Sequence, residues 1–198
     1  MTSIEFDIPL YFRQEDKLFK RIIKEQGVTT CRDEFMKEYI NSSLQSFIDG
    51  FIILGKIINP KTSYRTPSSN YLLKGFILFS FDGFGNTING KILCARKGYH
   101  IGKMLLQAVF DYAINKDITY WHLYSLPYEK LIKFYQSFGF SIGNPVYRKG
   151  ELKVVEMFMS LPEKTNTTND CFMSCPTEDP NDFLYLDEFD DQDSVEFI

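Results

Sequence analysis

The stretch KILCARKGYHIGKMLLQAVFDYA (91–113) decides how this chain is read. Its first third is β-branched and apolar, which suits a strand. Its last two thirds place Met104, Leu105, Ala108, Val109 and Tyr112 on one helical face. Between them stand Arg96, Lys97, Gly98, His100, Gly102 and Lys103. A strand that turns through glycines and lysines into a helix start exposes backbone amides to an anion. The first N–H groups of a helix lack intrahelical acceptors and carry a partial positive charge. A phosphate group fits there. On spacing alone Gly98 and Gly102 are a weak signal. The stretch is not a Walker loop, because Lys103 lacks the required glycine spacing and is followed by Met104.

Outward from this stretch, TINGKILCA (87–95) is expected as a strand, Ile101 to Lys116 as a helix and ITYWHLYS (118–125) as the next strand. The strand–helix–strand unit should form a right-handed crossover. Pro127 suits the opening of a further helix over about Tyr128 to Phe138, stopped at Gly139. VYRKGELKVVEMFMS (146–160) reads as a hairpin turning at Lys149-Gly150. Upstream, IDGFIILGKIIN (48–59) and YLLKGFILFSFD (71–82) read as an antiparallel pair joined by the polar loop NPKTSYRTPSSN. SIEFDI (3–8) alternates and reads as a strand. Gln14 to Gln26 puts Leu18, Phe19, Ile22 and Ile23 on one helical face and is expected to end at Gly27. Arg32 to Leu44 repeats the pattern with Phe35, Met36, Tyr39 and Ile40, with Thr30 as its cap. The predicted order is β-α-α-β-β-β-α-β-α-β-β over residues 1–162.

Composition bounds the rest. The chain has 198 residues, 44% hydrophobic and 16% aromatic, enough for one domain with a sizeable core. No apolar run approaches the length of a membrane span. MTSIEFDIPLYF lacks a basic segment followed by an apolar one, so a secretory leader is not expected, and a cytoplasmic or nuclear location follows. Cys31, Cys94, Cys171 and Cys175 are therefore expected as free thiols. Cys171 and Cys175 have no nearby histidine, so no metal site is expected. Residues 163–198 hold eleven carboxylates and one lysine, and read as an acidic, disordered tail. Residues 1–162 hold 21 Lys/Arg against 15 Asp/Glu. That basic excess is spread over helix faces and is too thin for direct nucleic-acid binding.

The element order and two local stretches resemble the GNAT superfamily of N-acetyltransferases. The family pattern is a strand, then Arg or Gln, two residues, Gly, any residue, and Gly or Ala. Here Lys97 takes the first place, His100 the first glycine place and Gly102 the second. LIKFYQSFGF (131–140) matches the family's helix that ends in Tyr, two or three residues, and Gly-Phe. The specific motifs cover about residues 87–140. The resemblance implies a mixed α/β (α+β), mostly antiparallel central sheet flanked by helices. It also implies acetyl-CoA as cosubstrate and a primary amine of a protein or small molecule as acceptor. It places the pyrophosphate at Lys97, Gly98, Tyr99, His100, Ile101, Gly102 and Lys103. The pantetheine arm would lie along Ile92, Leu93 and Cys94, where two strands splay, with Tyr128 contributing a further contact.

By the same resemblance Tyr135 protonates the leaving thiolate. The residues alone also allow Tyr135 as a core side chain, since it lies at helical spacing from Leu131, Ile132 and Phe138. Three positions depart from the family pattern. His100 stands in a glycine place and is a tolerated occupant if that place needs positive φ. Tyr128 stands where Asn is usual, and Leu131 where Ala is common. Strand 87–95 carries no carboxylate, so His122 and Asp82 are the candidate general bases, with proton loss to water as the alternative. Two rival readings are a catalytically degenerate acyl-CoA-binding or interaction module, and a partner-binding protein that works through its acidic tail.

Overall fold

The computed structural model describes residues 8–32, 36–46, 48–56, 71–96, 100–149 and 151–162. The expected strand at 3–8 falls almost wholly outside them, as do the loop 57–70, residues 97–99 and the acidic segment 163–198.

The first elements are β1 (Leu10–Phe12), α1 (Lys17–Cys31), α2 (Met36–Gln45), β2 (Asp49–Lys56), β3 (Tyr71–Phe81) and β4 (Thr87–Ala95). They are followed by α3 (Ile101–Asn115), β5 (Tyr120–Ser125), α4 (Glu129–Ser137), β6 (Ser141–Arg148) and β7 (Glu151–Ser160). From α1 to β7 the order is the one predicted, whereas β1, at Leu10–Phe12, is a strand the sequence reading did not place. The seven strands form one sheet in the order β1-β2-β3-β4-β5-β7-β6. Every neighbouring pair is antiparallel except β4 with β5, which run parallel as a crossover through α3 requires.

Both faces of the central strands are buried, so these strands read as near-continuous apolar runs. Phe51, Ile53, Ile77 and Phe79 point toward α3 and the core it shares with Tyr135. Ile52, Leu54, Phe76 and Leu78 point the other way, toward Ile22, Ile23, Ile40 and Leu44 of α1 and α2. In β4 the alternation changes phase. Leu78 pairs with Ile92 but Phe79 pairs with Gly90, so Lys91 is an extra, unopposed residue. Ile88 therefore faces the α3 side, whereas Ile92 and Cys94 face α1. A bulge of this kind re-aims every side chain beyond it.

Three expectations are corrected. Gly27 does not end α1. The helix runs on to Cys31, and Arg32 closes it in the left-handed conformation at φ 57°. Gly27 instead sits against α2, where an added Cβ would lie 3.2 Å from Ile40 Cδ1. Thr30 does not cap α2 either. It is buried inside α1, and its hydroxyl donates to the carbonyls of Gln26 (3.0 Å) and Leu73 (3.3 Å). Finally, Cys31 and Cys94 are joined as a disulfide, not free thiols. The end of α1 packs on β4, bringing the two Cα atoms to 4.9 Å across 63 residues of sequence. That separation is within the span of a disulfide.

Candidate functional site

The site begins where β4 and β5 part. Thr87, Ile88 and Asn89 pair with Tyr120, Trp121 and His122. From Gly90 onward the β5-facing edge of β4 has no strand partner among the described residues. The bulge at Lys91 falls at the mouth of this fork. β5 itself stays paired with β7 along Tyr120 to Ser125, so it is held while β4 leaves. The fork holds a half-open cavity of about 40 Å³ lined by Gly90, Lys91, Ile92 and Leu93 on one side and by Trp121, Leu123 and Tyr124 on the other. Ile77, Leu106 and Tyr135 complete the lining.

Tyr135 reaches the cavity from α4 and is 7% exposed. Its ring packs edge-on against Phe134 and Phe140, at 5.3 and 5.7 Å between centroids. Burial pushes its phenol well above the ordinary tyrosine range, so it stays protonated at neutral pH. Tyr135 is thus a core residue, as its helical spacing allowed, and its side chain also lines the cavity.

β4 leads through 96–100 into the start of α3. His100 is the residue before the first turn and adopts φ 50°, ψ 18°, the left-handed region that favours glycine. Its side chain is exposed and makes no capping hydrogen bond. The His100 carbonyl accepts the Met104 amide at 3.0 Å. Ile101 and Gly102 form the opening turn, where a helix leaves its first amides without intrahelical acceptors, and Lys103 follows them. Ile101 is buried beneath this turn, seated on Gly75 of β3, where any Cβ would collide with it. At Gly102 an added Cβ would lie 3.4 Å from Phe134 Cζ, an ordinary contact. Lys97, Gly98 and Tyr99 lie outside the described residues.

The remaining sequence candidates are dispersed around this centre. Leu93 packs toward α3, while Ile92 and Cys94 are buried on the α1 side, Cys94 in its disulfide. Tyr128 is the residue before α4, with extended backbone, 40% exposed, its carbonyl accepting from Leu131 and Ile132. Asp82 is a turn residue. Desolvation raises its pKa, but hydrogen bonds from Thr87, Gly85 and Asn86 outweigh that and hold the carboxyl below its usual range. Its Oδ1 accepts the Asn86 and Thr87 amides at 3.1 and 3.3 Å, so it is committed to holding the β3–β4 connection.

His122 sits at the vertex of the fork, in the last β4–β5 pair. Its Nε2 lies 2.9 Å from Glu156 Oε1. Glu156 Oε2 accepts the Asn144 amide at 3.1 Å, and the Asn144 amide and His122 hold the Glu156 carboxyl below its ordinary range against some desolvation. Sequence reasoning missed Glu156. It is one of many carboxylates, and only the β5–β7 register brings it beside His122. Among the described residues no group of three His, Cys, Asp or Glu could hold a metal ion, and no helix is long and apolar enough to cross a membrane.

No family model matches the chain, and no curated protein matches it by sequence. Solved structures do resemble it. A protein of Lactobacillus plantarum assigned as an N-acetyltransferase superposes with TM-score 0.57 at 14% identity, over 78% of this chain and 99% of that one. The aminoglycoside 6'-N-acetyltransferase from Enterococcus faecium gives 0.55 at 13% identity, over 79% and 98%. An aminoglycoside 6'-N-acetyltransferase complexed with coenzyme A gives 0.54 at 12% identity, over 79% and 98%. The chain has the fold of these N-acetyltransferases, the mixed, mostly antiparallel sheet flanked by helices that the resemblance implied.

Proposed function

We propose that this protein is an N-acetyltransferase that moves the acetyl group of acetyl-CoA to a primary amine of a protein or small molecule. The observation that carries the reading is the fork. β4 abandons β5 after Asn89, and the gap it leaves is lined by Tyr135 and continues in the chain to the start of α3. Backbone groups along a strand edge are strong hydrogen-bonding groups that need partners. A pantetheine arm carries two amides and can pair with such an edge as an added strand does. The opening turn of α3, at Ile101 and Gly102, then receives the pyrophosphate. Lys97, Gly98 and Tyr99 are expected to complete that cradle. A neighbour of the same fold holds coenzyme A, which supports this assignment of ligand.

In the reaction the amine lone pair forms the new C–N bond at the thioester carbonyl. The C–S bond breaks and the thiolate takes the phenolic proton of Tyr135. The proton lost by the amine goes to His122, oriented by Glu156, or to water, and solvent restores Tyr135. The products are the acetamide and free coenzyme A. The phenol carries the proton this role requires, and its place in the cavity wall, not its raised pKa, supports the assignment, since burial makes it a weaker donor than an exposed tyrosine.

A second reading is a catalytically silent acyl-CoA-binding or interaction module, favoured by His100. An imidazole stands in the left-handed position where glycine leaves the most room beside an anion.

Calorimetry with acetyl-CoA tests the site. Wild type is expected to bind, and Gly102→Val to bind far more weakly while keeping its circular dichroism, because the space beside Gly102 accepts a Cβ against Phe134. Unchanged affinity in the variant would remove the site from the start of α3. Turnover of acetyl-CoA with an amine panel then separates the enzyme from the silent binder.

A further inference from the structure

Trp121 is the single tryptophan of the chain and is 0% exposed. Its ring packs edge-on against Phe140 at 5.0 Å. Among the described residues, its Nε1–H is the buried side-chain donor that has no acceptor. A buried N–H without a partner is costly and rare in a folded protein. The atom lies at the fork. An added Cβ on Gly90, the first β4 residue beyond the β5 pairing, would be 3.5 Å from it. Trp121, Gly90 and Tyr135 line one cavity.

That cavity of about 40 Å³ has room for roughly two or three water-sized groups. Ile77, Leu106 and Leu123 give it apolar walls. An indole N–H donates only and does not titrate near neutral pH. The guest must therefore bring an acceptor to Trp121 and can bring a small apolar group to the remaining walls. A carbonyl bearing a methyl meets both demands.

We infer that Trp121 Nε1–H is the hydrogen-bond donor for the carbonyl oxygen of the acyl thioester, held between Gly90 and Tyr135. This rests on the acetyl-transfer reading given above and extends it. When the amine attacks, the C–N bond forms and the carbonyl π electrons move to oxygen. Trp121 keeps its proton and its hydrogen bond strengthens as that oxygen becomes anionic. Collapse re-forms C=O and expels the thiolate, which takes its proton from Tyr135.

The test compares two ligands that differ only in the acyl group, acetyl-CoA and coenzyme A. Trp121→Phe is expected to weaken acetyl-CoA by about 3- to 10-fold, the worth of one hydrogen bond, with coenzyme A affinity unchanged. Turnover is expected to fall further, by about 10²-fold, as for loss of one oxyanion donor. Equal losses for both ligands would mean that Trp121 only packs the fork or holds a water, and would overturn the inference. Because the variant removes a buried ring edge and could fail to fold, unaltered protein gives a second readout. With one tryptophan, the 15N spectrum contains one indole signal. Acetyl-CoA should shift that signal and coenzyme A should shift it far less. Equal shifts, or none with both ligands bound, would overturn the assignment and leave acetyl transfer standing. Failure of wild type to bind either ligand would instead overturn the acetyl-transfer reading, and the inference with it.

Discussion

β5 has two edges, and they are used differently. Toward β7 it is paired over all six residues, from Tyr120 opposite Ser160 to Ser125 opposite Val155. Toward β4 it is paired over three, and the partnership stops at Asn89 and His122. The full edge is locked by side chains on both faces. Trp121 and Met159 are buried on one, and on the other Tyr120 stacks on Phe158 while His122 holds Glu156. The short edge ends at a glycine, a bulge and a cavity with an unmatched donor. A sheet that was only structural would continue the β4–β5 ladder, since each lost pair leaves backbone groups without partners. The difference separates the part of β5 that holds the fold from the part that the acetyl-transfer reading gives to its ligand.

The largest way to break this comparison is at Tyr135. Tyr135→Phe keeps the ring, and with it the packing on Phe134 and Phe140. Acetyl-CoA affinity is expected to persist while turnover falls by about 10²–10⁴-fold. The sign of the pH effect follows from burial. A raised phenol remains protonated beyond the ordinary tyrosine pKa of 10.0, so no loss of activity below that pH is assigned to Tyr135. Wild-type turnover in the variant, per folded molecule, would return Tyr135 to the core alone.

A smaller effect is expected at Gly75, which the comparison makes part of the open side. A Cβ there would collide with Ile101, lie 3.0 Å from the Cys94 carbonyl and 3.2 Å from Leu105 Cδ1. Gly75→Ala is therefore expected to cost about 1–3 kcal/mol, as overpacking does. It should also weaken acetyl-CoA binding by lifting the first turn of α3 off the sheet. Denaturant unfolding with calorimetry reads both. An unchanged midpoint would mean that α3 is not seated on β3 at this glycine.

How far the sequence disclosed these features follows from their range. Element order was legible because periodicity and turn residues are local, and the start of α3 was legible because its glycines stand within a few residues of one another. His100 was legible as a departure, and φ 50° gives its physical content. Gly27 and Thr30 misled for a shared reason. A glycine and a threonine near a helix end carry local signals, but here tertiary contacts with Ile40 and Leu73 decide their use. The disulfide, the bulge and the Glu156–His122 pair all depend on which distant residues become neighbours, and the fork was reached only through the family resemblance. Trp121 shows the limit most clearly. In ITYWHLYS it reads as one more apolar strand residue, and only the missing acceptor around Nε1 distinguishes it.

The smallest expected effect belongs to the closed edge. The Asn144 amide and His122 both hydrogen-bond the Glu156 carboxylate, and together they hold its pKa below the ordinary glutamate value of 4.5. A carboxyl depressed in the folded state contributes stability that is present above its unfolded pKa. That contribution is lost as pH falls through the folded value, so the window lies below 4.5. Glu156→Gln removes the titrating group. The gap in melting temperature between wild type and variant should be constant above that window and shrink below it. The pair is partly exposed, at 21% and 26% for the two side chains, so added salt should reduce the whole effect. Since β5 holds β7 through this pair and β4 is absent from it, the change should appear in unfolding and not in acetyl-CoA affinity per folded molecule. A gap that stays constant to the lowest pH at which both proteins fold would remove the pair from the locks on that edge and leave its hold to Trp121, Met159 and the Tyr120–Phe158 stack.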